Sequence, residues 1–202
     1  EDQGPLALPG KYTVSLAKVV DGEISELVGP KEFECKTLGF ASLPAEDKAA
    51  MLAFQKEVSE LRRIVLGTAG YVGELSDKLK LMTVAVKETP GISKDILTEI
   101  REVEKQIDEI KIMLNGDGSM AKRSYPTSPS IAGRIESIVG GLWETSSAPT
   151  ETMKQSYKVA EELFDEIYPK IKKIGETDIK ALENKLEKAG APYTPGRLPE
   201  WK

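Results

Sequence analysis

The stretch Met51–Val86, MLAFQKEVSELRRIVLGTAGYVGELSDKLKLMTVAV, decides the fold. Its apolar residues recur every three or four positions: Met51, Phe54, Val58, Leu61, Val65, Val72, Leu75, Leu79, Met82 and Val86. Thr68 is the one polar member of the series. That spacing follows one face of an α-helix, and a single face carried this far predicts one long helix. At 1.5 Å per residue the stripe is ~54 Å long. Pro44 suits the first helical position, and Glu46 and Asp47 suit the first turn. Thr89-Pro90-Gly91 should stop the helix.

Towards the C-terminus the same period returns three times. Ser93 can cap a second helix with the stripe Ile96, Ile100, Val103, Ile107, Ile110 and Leu114, ended by Asn115-Gly116. The polar stretch DGSMAKRSYPTSPS reads as a loop. Pro129 then opens a shorter helix on Ile131, Ile135, Ile138 and Leu142. After ETSSAPT, with Ser147 or Thr150 as cap, the last helix carries Met153, Tyr157, Ala160, Phe164, Ile167, Ile171 and Ile174. Its stripe then steps by one to Ile179, Leu182 and Leu186. With Pro169 and Gly175 inside it, a kink or brief break is expected there. The first and last helices would each be ~55 Å, the middle two ~28 and ~20 Å. These lengths predict a mainly α fold, an elongated four-helix up-down bundle of two long and two short helices. A long helical hairpin that dimerises to bury its stripe is the alternative.

Towards the N-terminus the period changes to two. Tyr12, Val14 and Leu16 alternate with Lys11, Thr13 and Ser15. Asp21-Gly22 marks a reversal, and a second strand is expected around residues 32–37, with Phe33 and Cys35 on one face. Two strands are marginal as a free unit, so the hairpin reads as the end of a truncated β-sandwich. The domains expected are therefore 1–42 (closing strands), 43–190 (helices) and 191–202 (tail). In the tail, AGAPYTPGRLPEWK, Gly190 ends the last helix and three prolines keep the chain extended. Tyr193, Leu198 and Trp201 are expected to anchor it to the helices or the hairpin, with Trp201 more than half buried and Lys202 as the natural terminus.

Composition narrows the function classes. The net charge of −5 does not favour a nucleic-acid surface. No apolar run approaches the ~20 residues of a membrane span. The chain contains no histidine and one cysteine, Cys35. That removes Ser-His-Asp and Cys-His catalysis and the usual zinc sites. No cofactor or metal site is expected. Glu1 in place of methionine points to a processed chain or one cut from a longer protein.

The remaining motifs are weak. Gly67, Gly70 and Gly73 match no phosphate loop and read as small helical residues where a neighbour comes close. NGDGS, residues 115–119, lacks the distal glutamate of a calcium loop and reads as a helix end and turn. The carboxylates of the second and last helices fall between stripe positions, several with basic partners, as Glu166 with Lys170 and Glu176 with Lys180. Lys122, Arg123 and Tyr125 form the one compact basic-aromatic spot, a candidate partner surface. Trp143 is expected as a core plug.

Several stretches taken together resemble a known family: GPLALPGKYTVSL, LVGPKEFECKTL, LPAEDKAAMLAFQKEVSELRRIVLGT, SIAGRIESIVGGLWETSSAPTETMKQSY and DIKALENKLEKAGAPYTPGRLPEWK. They are similar to the C-terminal region of bacterial sortilin-like propeller proteins with BNR (Asp-box) repeats, often labelled glycosyl hydrolases. The resemblance implies an exported protein, secreted or in the cell envelope, in which a propeller and a sandwich-like segment precede this helical module. It carries no catalytic residue into this chain, because Asp-box motifs belong to the propeller. The function it implies is a non-catalytic accessory or docking module, whose partners are the upstream propeller and sandwich, with another protein or a second copy as further candidates. The competing expectations are a carboxylate-based glycoside hydrolase within the chain and a homo-oligomerising coiled coil.

Overall fold

The structure, a computed structural model, describes residues 4–39, 43–199 and 201. The chain is mainly helical, with an antiparallel two-stranded hairpin ahead of the helices. The expected domain boundary after residue 42 and the expected terminus at Lys202 lie outside the described residues.

In the hairpin, β1 (Gly10–Val20) pairs with β2 (Glu23–Cys35). Asp21 and Gly22 both have positive φ, 52° and 84°, as a two-residue hairpin turn whose twist matches the strands requires. Pairing therefore resumes at once, and β2 begins at Glu23 rather than near residue 32 and stops at Cys35. Frequent glutamates hide the alternation of β2 in the sequence. So does an irregularity in the middle. From Val14↔Lys31 to Ala17↔Glu26, β1 advances three residues and β2 five. The surplus surrounds Gly29-Pro30, a bulge that tolerates a proline with no N–H to give.

The helices are α1 (Lys48–Glu88), α2 (Lys94–Asn115), the short α3 (Gly118–Lys122), α4 (Ile131–Leu142), α5 (Glu151–Lys173) and α6 (Ile179–Lys188). α1 starts four residues after Pro44. Asp47 accepts from the Ala50 N–H (2.8 Å), while the Ala45 N–H is turned to the Ser146 carbonyl (2.7 Å). A capping carboxylate outcompetes the proline as the start signal. The predicted stripes are buried throughout α2 and α4 and nearly throughout α1. In α1, Phe54 is half-buried while Gln55 is fully buried; its Nε2 donates to the Leu142 carbonyl at the end of α4 (2.9 Å). The amide answers one of the carbonyls a helix end leaves unpaired. The α1 stripe is thus buried within one chain.

The α-helix is interrupted at the expected place, where the chain forms a π-turn, Ile174–Asp178, between α5 and α6. The one-residue step in the stripe, Ile174 to Ile179, is the inserted residue of that turn, and both isoleucines stay buried. The wider turn moves the local ion pair as well. Lys173 reaches Asp178, five residues on (2.8 Å), in place of a Glu176–Lys180 pair at four. Gly175 faces the Tyr71 hydroxyl so closely that a Cβ there would clash.

Two compact units emerge, one within residues 1–57 and 139–150, the other within 58–138 and 151–202. In the second unit, α2 packs on α5 and α6. Polar pairs tie its helices at the rim: Arg62 with Glu136 (2.7 Å), Lys78 with Glu183, Lys185 with Glu99, and Lys111 with the Ser76 hydroxyl.

Candidate docking surfaces

The hairpin builds one apolar face. Its register places Tyr12, Val14 and Leu16 beside Phe33, Lys31 and Val28, and the rings of Tyr12 and Phe33 stack at 5.9 Å. Such a face ordinarily packs on another layer. Here Val14, Leu16, Val28 and Phe33 are all exposed, as are Val19, Val20, Ile24 and Leu27 nearer the turn. Exposed apolar residues gathered on a sheet face in this way mark a candidate interaction site.

Within the same unit lies a cleft of about 680 Å³. Leu6–Pro9, Cys35, Leu38 and Met51 line its apolar side, and Lys48 and Glu144 stand among its polar groups. A smaller cleft of about 220 Å³ sits in the second unit beside the π-turn, where Glu99 and Glu102 of α2 meet Asp178. Lys185 sits on Glu99 and Lys173 on Asp178. Two of the three carboxylates are thereby neutralised, leaving an ion-pair cluster at the surface. No group of three or more metal-ligating side chains occurs among the described residues.

The tail is held differently from the expectation. Tyr193, Leu198 and Trp201 are exposed, Trp201 at 94% and Leu198 at 90%. Burial falls instead on Ala191, Thr194 and Arg197. The Arg197 guanidinium donates to the carbonyls of Ala191 (2.7 Å) and Pro192 (2.6 Å) and pairs with Glu187 (2.9 Å). A charged fork satisfying two carbonyls and a carboxylate fixes the turn by itself, so the apolar side chains are free to face outward. Gly196 lies over the Lys78–Glu183 pair, and a Cβ there would meet the lysine Nζ. Gly190 does end α6 as expected: its φ is 65°, and the Ala191 N–H returns to the Leu186 carbonyl (3.0 Å).

Lys122, Arg123 and Tyr125 are exposed where the chain reverses at Ser124 (φ 57°). The loop expected there contains α3, capped by Asp117. The Ser119 hydroxyl, then the Met120 and Ser119 N–H groups, hold the Asp117 carboxyl below the usual range. Residues 115–119 thus make a helix end and a cap. Trp143 is half-buried, and Leu142 takes the core position instead. Gly67, Gly70 and Gly73 have no neighbour within 4 Å of where a Cβ would stand, so close approach does not explain them.

No family model matches the chain, and no curated protein or solved structure matches it either. No helix among the described residues is long and apolar enough to cross a membrane.

Proposed function

We propose that this chain is a non-catalytic helical accessory and docking module of a larger exported, sortilin-like BNR-repeat propeller protein. The uncovered apolar face of the hairpin is the observation that carries the reading. A two-stranded sheet with apolar side chains on open display is unstable in isolation and gains most from a covering layer. The sequence resemblance supplies the identity of that layer, a sandwich and propeller earlier in the same polypeptide. On this reading the helices form a four-helix up-down bundle. The polar ties of α1 to α2, α4 and α6 support that arrangement. Capture of the chain by the upstream propeller and sandwich tests the proposal. Loss of capture on changing Val14 and Phe33 to serine is expected, and capture that ignores these changes would overturn it.

Hydrolysis by the chain itself is the competing reading, and the acidic cleft beside the π-turn is the place it would occur. It requires glycan turnover that disappears in Glu102→Gln. The docking reading expects no turnover by the chain alone.

A further inference from the structure

The cleft of about 680 Å³ in the first unit serves neither reading above. Its volume falls in the range of small-molecule sites, about 300–1,000 Å³. The chain segments that wall it are fixed without an occupant. The Tyr12 hydroxyl donates to the Leu8 carbonyl (2.7 Å) and ties residues 6–9 to the start of β1. The Ala45 N–H donates to the Ser146 carbonyl (2.7 Å) and joins the approach to α1 with the segment after α4. Met51, buried in α1, supplies apolar wall. Leu6 and Leu38 line the cleft yet are 50% and 83% exposed, so an apolar ligand has surface left to cover.

One charge in this lining has no partner. Lys36 pairs with Glu34 (3.0 Å), whereas Lys48, half-buried, has no carboxylate within ion-pair distance among the described residues. The neighbouring Asp47 carboxylate is taken by the Ala50 N–H (2.8 Å). Glu144, the acid of the lining, is exposed and keeps its water. A cation partly withdrawn from water beside apolar groups gains from an anion brought to it. Lys48 also opens α1, whose first N–H groups favour the same sign of ligand. We propose that the cleft binds a single-chain amphiphile with a carboxylate head, a molecule of the fatty-acid class. Its chain lies against Leu6, Leu8, Leu38 and Met51, and its carboxylate accepts from the Lys48 ammonium. The proposal stands apart from the docking reading.

The test titrates the full chain with dodecanoate, dodecanol and dodecyltrimethylammonium, each below its micelle concentration, and follows amide and methyl NMR signals. Dodecanoate is expected to bind saturably and to shift Leu8, Met51 and Thr145. Dodecanol should bind roughly tenfold more weakly, and the ammonium more weakly still. Shortening the acid to decanoate should cost roughly tenfold, for two methylenes withdrawn from the cleft. Lys48→Met, at a half-buried surface position, should bring dodecanoate to the level of dodecanol and leave dodecanol unchanged. Lys36→Met should alter neither, and Leu38→Ser, at an exposed position, should weaken both. Equal binding of the three probes, a preference for the ammonium, or a Lys48→Met variant that keeps the preference for the acid would overturn the assignment. Shifts confined to Val14, Leu16 and Phe33 would overturn it too, by placing the amphiphile on the open hairpin face. So would capture of the chain by phosphatidylglycerol vesicles without saturable binding of free dodecanoate, which would make a membrane the source of the anion.

Discussion

The hairpin and the long helices are written in the same alphabet of alternating apolar and polar residues, yet they meet opposite fates. In α1 and α2 the apolar stripe is buried among partners within the chain. In β1 and β2 it is displayed to solvent. A periodic pattern records that a face expects cover; it does not record who provides it. Where the partners lie in the same chain, the pattern becomes a core. Where they do not, it is a surface with an open claim on something else.

Truncating a residue on each side gives the widest contrast. Leu79→Ala or Ile107→Ala, at sites of almost no exposure, should each cost about 2–5 kcal/mol, the transfer term plus a cavity. Val14→Ala or Ile24→Ala should cost no more than about 0.5 kcal/mol, as exposed sites do. Denaturant unfolding of the four variants checks this, and equal costs would erase the distinction between the regions.

The tail repeats the comparison at smaller scale, polar groups inside and aromatics outside. Arg197→Ala should cost about 1–3 kcal/mol, since it frees two carbonyls and a carboxylate in a site that leaves the arginine 6% exposed. Trp201→Ala should shift the thermal midpoint hardly at all. A larger loss from the tryptophan would restore the apolar anchors.

Glycines sharpen the picture further. Gly70→Ala, on open helical surface, should stabilise by up to about 1 kcal/mol, because alanine gives up less backbone entropy. Gly175→Ala should destabilise by about 1 kcal/mol or more by pushing the Tyr71 ring aside. Calorimetry on the pair reads the difference in sign.

The smallest effect is local and depends on pH. The folded Asp117 carboxyl titrates below its unfolded value, so its contribution is present above the ordinary aspartate range and lost as pH falls through the lower folded value. Protection of the Ser119 and Met120 amides should follow that acid transition, and Asp117→Asn, which keeps a capping oxygen, should make it independent of pH. A midpoint at or above the ordinary aspartate value would contradict the cap.

The helical stripes were legible because helical period depends on spacing alone. Every stripe residue of α2 and α4 lies in the core. The step from Ile174 to Ile179 was legible too, but spacing alone does not show that the interruption takes the form of a π-turn, which depends on how the backbone bonding continues. Gln55 was invisible because a buried amide needs a partner, here the Leu142 carbonyl, that lies 87 residues away. The tail's anchor is not legible from hydrophobicity, because Arg197 holds it by satisfying two backbone carbonyls. The hairpin turn was clear from Asp21-Gly22, whereas the bulge at Gly29-Pro30 concealed the length of β2.

The central claim is that the hairpin face is a docking surface for the rest of a longer protein. Amide exchange of residues 10–35, measured in this chain alone and again with the upstream sandwich and propeller present, tests it most directly. The account predicts rapid exchange in the chain alone and strong slowing, confined to the hairpin, when the upstream region is present. Identical exchange in the two states would contradict it.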